Sequence, residues 1–176
     1  MIIKTKELVL KPDISKDDIF KIHQNVFSQT ETAKYMLWKA SNEIKDTIKR
    51  LKRWQESDIK LFFIFEKSNN EPIGFLSFSE RDEVINNIGL CIGKRFVRKG
   101  FGKQVLTALL DYCKNNKIKI VEYSAFHENL PSIELAKKLG FIYSYSKNSI
   151  RNYDKRKFVE DVYVKKLIVN FNNVNY

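Results

Sequence analysis

Lys94-Arg95-Phe96-Val97-Arg98-Lys99-Gly100-Phe101-Gly102-Lys103 joins an apolar run ending at Gly93 to a helix-periodic run that starts at Phe101. A strand ends, a basic turn with two glycines follows, and an amphipathic helix begins. Phe101, Val105, Leu109 and Cys113 recur every four residues, the spacing of one helical face. Glycines at i and i+2 let a backbone approach a ligand without side-chain clash. The free amides of a helix start carry partial positive charge. With Arg98, Lys99 and Lys103 beside them, they form a pattern suited to a pyrophosphate. A purely structural turn into a helix would use the same glycines, so the stretch alone leaves both readings open. It is neither a Walker loop, since no Gly-Lys-Ser/Thr follows, nor a dinucleotide fingerprint, since Val105 stands where the third glycine would be.

Outward from this turn, the pattern resolves into alternating elements. Met1 to Lys11 reads as a first strand, stopped by Pro12. Ser15 with Asp18 starts a helix carrying Ile19, Ile22, His23 and Val26 on one face. An irregular stretch, 28–39, precedes a second helix with Ser41 as its cap and Ile44, Ile48, Leu51 and Trp54 as its stripe. Leu61–Phe65 and Ile73–Ser79 form a hairpin around Asn69-Asn70-Glu71-Pro72, and Val84–Gly93 is the fourth strand. After the long helix come a fifth strand, Ile118–Ala125, and a short helix, Ser132–Leu139, with Gly140 past its end. Two more strands, Phe141–Tyr145 and Phe158–Ile168, close the order. The helix between strands four and five implies a parallel crossover, and the meander before it implies antiparallel pairing. An α/β (α+β) domain follows: one mixed, mostly antiparallel seven-stranded sheet with helices on both faces. It is expected over residues 1–169, with a polar tail over 170–176.

The chain has 176 residues and 43% hydrophobic residues, enough for a core and against disorder. Cys91 and Cys113 each sit in an apolar stretch and read as small buried hydrophobes. No segment reads as a membrane span or a signal peptide, which points to the cytoplasm. No metal-ligand set is read. The net charge of +11 fits a nucleic-acid partner, a polyanionic cofactor or compositional drift. The cations are spread along the chain, so no nucleic acid is expected as a partner.

A second motif lies downstream, at Asn129-Leu130-Pro131-Ser132 and Lys137-Lys138-Leu139-Gly140-Phe141. The two motifs together resemble the Gcn5-related N-acetyltransferases (GNAT). That family has Gln/Arg-x-x-Gly-x-Gly/Ala, then Asn-x-x-Ser/Ala, then Gly-Phe. Here the motifs fall on Val97 to Gly102 and on Asn129, Ser132, Gly140 and Phe141. The element order also matches, and the pattern is most similar to the ribosomal-protein N-terminal acetyltransferase branch. The resemblance implies acetyl-coenzyme A as donor and a primary amine, on a small molecule or a protein N-terminus, as acceptor. The pyrophosphate would be held by amides of Arg98, Lys99, Gly100, Phe101, Gly102 and Lys103. The fourth strand would splay from the fifth, with the pantetheine arm along Leu90, Cys91 and Ile92. Asn129 and Ser132 would line the thioester end. Val97 departs from the family's Gln/Arg.

Attack of an amine on a thioester needs a neutral amine, a stabilised oxyanion and a departing thiolate. Backbone amides in a dry cleft stabilise the oxyanion by about 2.7–4 kcal/mol per donor. The acid is not obvious: the family's usual Tyr is Ala136 here, which leaves Ser132, itself also a candidate helix cap. The base is not obvious either, since the family's Glu is Asn87; Glu83, Asp82, His127 and Glu128 are substitutes near the expected cleft, with His127 and Glu83 the main candidates. An α-amine is about 9–17% neutral at pH 7 and a lysine amine about 0.04%, so a sparsely equipped site suits an α-amine. Tyr35, Trp38 and Tyr153 would wall the acceptor pocket, beside a basic loop with Lys147, Arg151, Lys155, Arg156 and Lys157. The competing reading is a non-catalytic acyl-coenzyme-A-binding module, supported by Val97, Asn87 and Ala136. Either would act as a monomer or homodimer.

Overall fold

The computed structural model describes residues 1–168; the tail expected over 170–176 lies outside them. The strands are β1 (Ile3–Lys4), β2 (Leu8–Lys11), β3 (Lys60–Glu66), β4 (Glu71–Arg81), β5 (Val84–Ile92), β6 (Ile120–Phe126), β7 (Ile142–Ile150) and β8 (Lys157–Lys166). They form one sheet in the order β1-β2-β3-β4-β5-β6-β8-β7. The sheet is mixed and antiparallel except at β5–β6. It has eight strands where seven were expected, because the first breaks into a small hairpin. Thr5 N donates to Leu8 O at 2.9 Å, and Leu8 N donates to Thr5 Oγ1 at 3.0 Å. Gln104 Oε1 anchors that turn, accepting from Thr5 Oγ1 at 2.8 Å and Glu7 N at 3.1 Å.

The helices are α1 (Lys16–Ile22), α2 (Thr30–Ala33), α3 (Ile44–Gln55), α4 (Phe101–Asn115) and α5 (Leu130–Lys138). Ser15 caps α1, its Oγ accepting from Asp18 N at 3.1 Å. The helix then widens into a π-helical turn, His23–Phe27, which carries Phe27 onto Phe75, stacked at 5.6 Å. His23 is packing, as its helical face implied: it is buried, with Nδ1 2.8 Å from Thr47 Oγ1. The expected cap at Ser41 stands two residues early, because Glu43 occupies the N-cap position of α3, without a side-chain cap bond. Ser41 Oγ instead accepts from Glu43 N at 3.1 Å and donates to Asp46 at 2.6 Å. The buried face of α3 also differs: Thr47, Arg50 and Leu51 are buried, and Ile48 is half exposed. Thr47 turns inward because His23 satisfies its hydroxyl, and Arg50 because its guanidinium stacks on Phe27 and Trp38.

Two cores flank the sheet. Val105, Leu106 and Leu109 of α4 and Ile133 of α5 pack with Phe62, Ile64 and Val121 on one face. Ile22, Phe27, Trp38 and Leu51 pack with Phe63, Phe65 and Phe75 on the other. Strand β3 feeds both, which explains its unbroken apolar run. Strand β7 runs on to Ile150, so most of the expected loop 145–157 is strand, and the connection is a short turn. No helix among the described residues is long and apolar enough to cross a membrane.

Strands β5 and β6 pair in parallel only at Val84↔Ile120 and Ile85↔Val121, then separate. The cause lies in β5. Its pairing with β4 steps from Ser79↔Asn86 to Ser77↔Gly89, so Asn87 and Ile88 oppose one residue. Asn87 takes φ +50, a left-handed conformation that asparagine tolerates better than most residues. Such a bulge bends its strand, and here it leads β5 away from β6.

Candidate functional site

Beyond the split, the chain turns into α4. Gly93 packs so tightly on Asn25 O, 2.1 Å from where a Cβ would sit, that no side chain fits. Phe96 is buried and anchors a single 3-10 turn, Lys94–Phe96. Arg98 then takes φ +64 and Gly100 φ +78. Gly100 is the N-cap of α4, with no side-chain cap. A Cβ on Gly100 would meet nothing within 4 Å, and one on Gly102 only Leu135 at 3.4 Å. Packing therefore does not require glycine at 102, and the space before the first amides is open. An oxyanion group fits there.

The basic residues of the turn divide. Lys99 Nζ lies 3.7 Å from Glu66 and over the rings of Phe96 and Phe101. Arg98 and Lys103 are exposed and make no ion pair among the described residues. Phe101 is buried, so only its amide can serve a ligand. Val97 is half exposed in extended conformation.

A cavity of about 380 Å³ opens where β5 and β6 part. Asn87 to Leu90 form one wall, Tyr123 to Phe126 the other, and Asn129 and Ser132 one end. Tyr35, Met36, Leu37, Trp38 and Trp54 close it from the α1–α3 side. Cys91 is buried behind this wall, and burial pushes its thiol pKa well up, which disqualifies it as a nucleophile. Ile92 and Leu90 border β4 on one edge, and the β6-facing edge has no strand partner beyond Ile85 among the described residues.

Two polar features of the cavity were not read from the sequence. Tyr123 Oη and Ser132 Oγ are 2.8 Å apart. Burial raises the pKa of Tyr123, opposed by its bond to Ser132. Ser132 is the third residue of α5, after Asn129 as N-cap, and its side chain does not cap the helix. Glu160 is the second feature, the one carboxylate among the residues lining the cavity. Ser149 Oγ at 3.2 Å and Lys147 Nζ at 3.3 Å hold it. A strand alternation hints at Tyr123, but only pairing of β6, β8 and α5 brings these groups together.

Other expected residues lie elsewhere. Glu83 sits in the β4–β5 turn at φ +63, bonded to Lys119, at the closed end of the split. Neither it nor His127 lines the cavity. His127 is exposed, with Nδ1 2.8 Å from buried Asp161, which also accepts from Ser146 at 2.6 Å. Although burial raises Asp161's pKa, the bonds from Ser146 and His127 prevail and lower it. Tyr153 is in the β7–β8 turn, under the Arg151 guanidinium at 4.5 Å, and does not line the cavity either. Tyr35 and Trp38 do line it, with Tyr35 edge-on to Phe126 at 6.0 Å. The supposed basic loop is largely neutralised: Arg151 pairs with Asp154, Arg156 with Glu128 and Lys147 with Glu160.

The sequence profile of the Acetyltransferase (GNAT) domain matches residues 7–142. No curated protein sequence matches the chain. Among solved structures, the fold resembles a GNAT-family acetyltransferase from Bacillus anthracis at TM-score 0.81 and 20% identity, covering 94% of this chain and 98% of that one. It also resembles the Salmonella typhimurium acetyl transferase that modifies the N-terminal serine of 50S ribosomal subunit protein L7/L12. There the TM-score is 0.78 and the identity 20%, over 96% of this chain and all of that one. A third is the microcin C7 self-immunity acetyltransferase MccE in complex with acetyl-CoA and AMP, at 0.79 and 19%, over 92% and 93%. A split sheet, an uncapped helix start facing open space and a profile match over most of the chain lead to one assignment: the chain belongs to the GNAT family and is an N-acetyltransferase.

Proposed function

We propose that the protein transfers an acetyl group from acetyl-coenzyme A to a primary α-amine by direct attack in a ternary complex. The observation that carries this is the continuity of three features: the uncapped start of α4, the unpaired edge of β5, and the cavity holding Ser132, Tyr123 and Glu160. The amides of residues 98–103, with Arg98 and Lys103, would hold the pyrophosphate. Leu90 to Ile92 would border the pantetheine arm. Bound there, the coenzyme supplies an activated thioester.

The chain's own groups then have distinct tasks. Glu160, in place of Glu83 or His127, accepts the amine proton. Ser132 Oγ gives a proton to the departing sulfur, and Tyr123 Oη reprotonates Ser132 across their 2.8 Å contact. Asn129, whose side chain does not cap α5, orients the acyl end. Tyr35 and Trp38 exclude water and position the acceptor. Ser132 with Tyr123 replaces the family's tyrosine, lost at Ala136, so the motif's gaps do not by themselves favour a non-catalytic module. A peptide N-terminus suits the open acceptor side, as does a small α-amine.

The test is thiol release from acetyl-coenzyme A against a panel of amines. Turnover is expected, with kcat/KM rising with pH to the amine's own pKa of about 7.7–8.0 and then levelling. Glu160→Gln and Ser132→Ala are each expected to lower kcat about 10²-fold or more. Tight coenzyme binding with no turnover on any amine would favour the binding module.

A further inference from the structure

Beside the acceptor cavity, and sharing Leu37, Trp38 and Trp54 with it as walls, lies a pocket of about 270 Å³ completed by Arg50 and Arg53. Trp38 is 9% exposed and Arg50 8%. Trp38 Nε1 and Arg50 Nη1 are both buried without a hydrogen-bond partner among the described residues. Two orphaned donors at one place are unusual, because buried polar groups are nearly always paired. Arg50 Nη2 donates to Lys39 O at 3.0 Å, and the guanidinium lies 5.0 Å from the Trp38 ring. No carboxylate pairs with Arg50 among the described residues. Asp46, one turn earlier, is taken by Ser41 at 2.6 Å. Burial and the neighbouring Arg53 push the pKa of Arg50 below its ordinary value, with Asp46 opposing weakly. Helix α3 carries five basic residues (Lys45, Lys49, Arg50, Lys52, Arg53) against one acidic, Asp46.

We infer that this pocket is a carboxylate subsite of the acceptor site, so that the preferred acceptor is an amine that also bears a carboxylate. The inference rests on the reading of the larger cavity as the place of acetyl transfer. Two N–H donors on different side chains suit the two oxygens of one planar carboxylate, and Arg53 adds charge at the mouth. Leu37, 66% exposed, stands on the solvent side of the pocket, and its displacement would admit the group to the two donors. The acceptor then spans the cavity, its amine toward Glu160 and its carboxylate toward Arg50. The carboxylate can belong to an acidic side chain near a peptide N-terminus or to a small amino acid.

The first test compares the α-amide of seryl-glutamate with that of seryl-glutamine, and the α-amide of glutamate with that of glutamine, as acceptors in the thiol-release assay. At least a tenfold higher kcat/KM for the carboxylate member of either pair is expected, expressed mainly in KM. The pair that shows it separates peptide from small-molecule acceptors. Arg50→Gln and Trp38→Phe should each shrink that preference to within threefold, and Arg50→Lys should restore only part of it, since an ammonium lacks the planar fork. Equal use of both members in both pairs overturns the inference while leaving the acetyltransferase reading intact. If no amine turns over, that reading fails and binding decides this one. Both tryptophans of the chain line the pocket, so their fluorescence reports it directly. Saturable quenching by glutarate, lost in Arg50→Gln and in the independent variant Arg53→Gln, supports the subsite. No saturable change with glutarate, or tighter binding of inorganic phosphate, overturns it.

Discussion

At the scale of single residues, the site is built from side chains with few alternatives. Gly100 needs a φ of +78 in a place where packing asks nothing of it. Gly100→Val is therefore expected to cost stability through backbone strain, roughly 1–2 kcal/mol, and to raise the KM for acetyl-coenzyme A more than tenfold by crowding the helix start. A variant that keeps its coenzyme affinity would show that the phosphates bind elsewhere. In the proposed mechanism Ser132 and Tyr123, 2.8 Å apart, act as a unit. In a double-mutant cycle of Ser132→Ala and Tyr123→Phe, the double variant should be hardly slower than Ser132→Ala alone, because Tyr123 works through the serine. Additive losses in kcat would separate their roles. Asn129 and Ser132 were readable through the resemblance of their motif to the family's. Tyr123 and Glu160 were not, since nothing in a strand's sequence says which distant side chain its pairing will place opposite.

At the scale of elements, the bulge in β5 is the decisive irregularity. Asn87 occupies the position where the family's glutamate was sought, and read as chemistry it looked like a loss. In the fold its left-handed conformation turns β5 away from β6. Asn87→Gly should be tolerated within about 0.5 kcal/mol, whereas Asn87→Val should destabilise by roughly 1–2 kcal/mol or more, measured by denaturant unfolding. Equal stability of the two would remove strain from the account. Helix α3 teaches the same lesson. Its apolar period predicted a stripe through Ile48, but a hydrogen bond to His23 and stacking of Arg50 on Phe27 and Trp38 rotate Thr47 and Arg50 inward. A polar residue pointing inward is legible only once its partner is in place.

At the scale of the whole molecule, two cores share one sheet and hide both thiols. Burial pushes Cys113 from 9.0 up to about 12, with Glu80 adding to the shift, and raises Cys91 as well. The neutral thiols are favoured by folding. Their contribution is fully present below pH about 9 and is lost as pH rises from there through about 12, because the unfolded thiols ionise first. The native protein should accordingly leave both thiols unreactive toward a thiol reagent at pH 8, with two equivalents appearing on unfolding. Its melting temperature should fall above pH 9, and less so in Cys113→Ala. A rapidly reacting native thiol would contradict the burial. Charge is likewise a property of the whole chain: the +11 surplus looked diffuse in sequence. Folding pairs Arg151 and Arg156 of the β7–β8 turn with Asp154 and Glu128, and Lys147 of β7 with Glu160, while among the described residues Arg50 has no counterion.

The sequence by itself determined the order of elements, the parallel crossover, the family and the glycine-containing turn that opens the long helix. These are local: periodicity, glycine placement and short motifs act over a few residues, and physics at that range is written in neighbouring letters. Only the tertiary structure decided that Tyr123, Ser132 and Glu160 line one cavity, that Glu83, His127 and Tyr153 do not, and that Trp38 and Arg50, each with a donor unpartnered among the described residues, share a pocket with Trp54. Those facts depend on strand pairing and helix packing between residues far apart in the chain, where one step of register or a rotated helix exchanges one side chain for another.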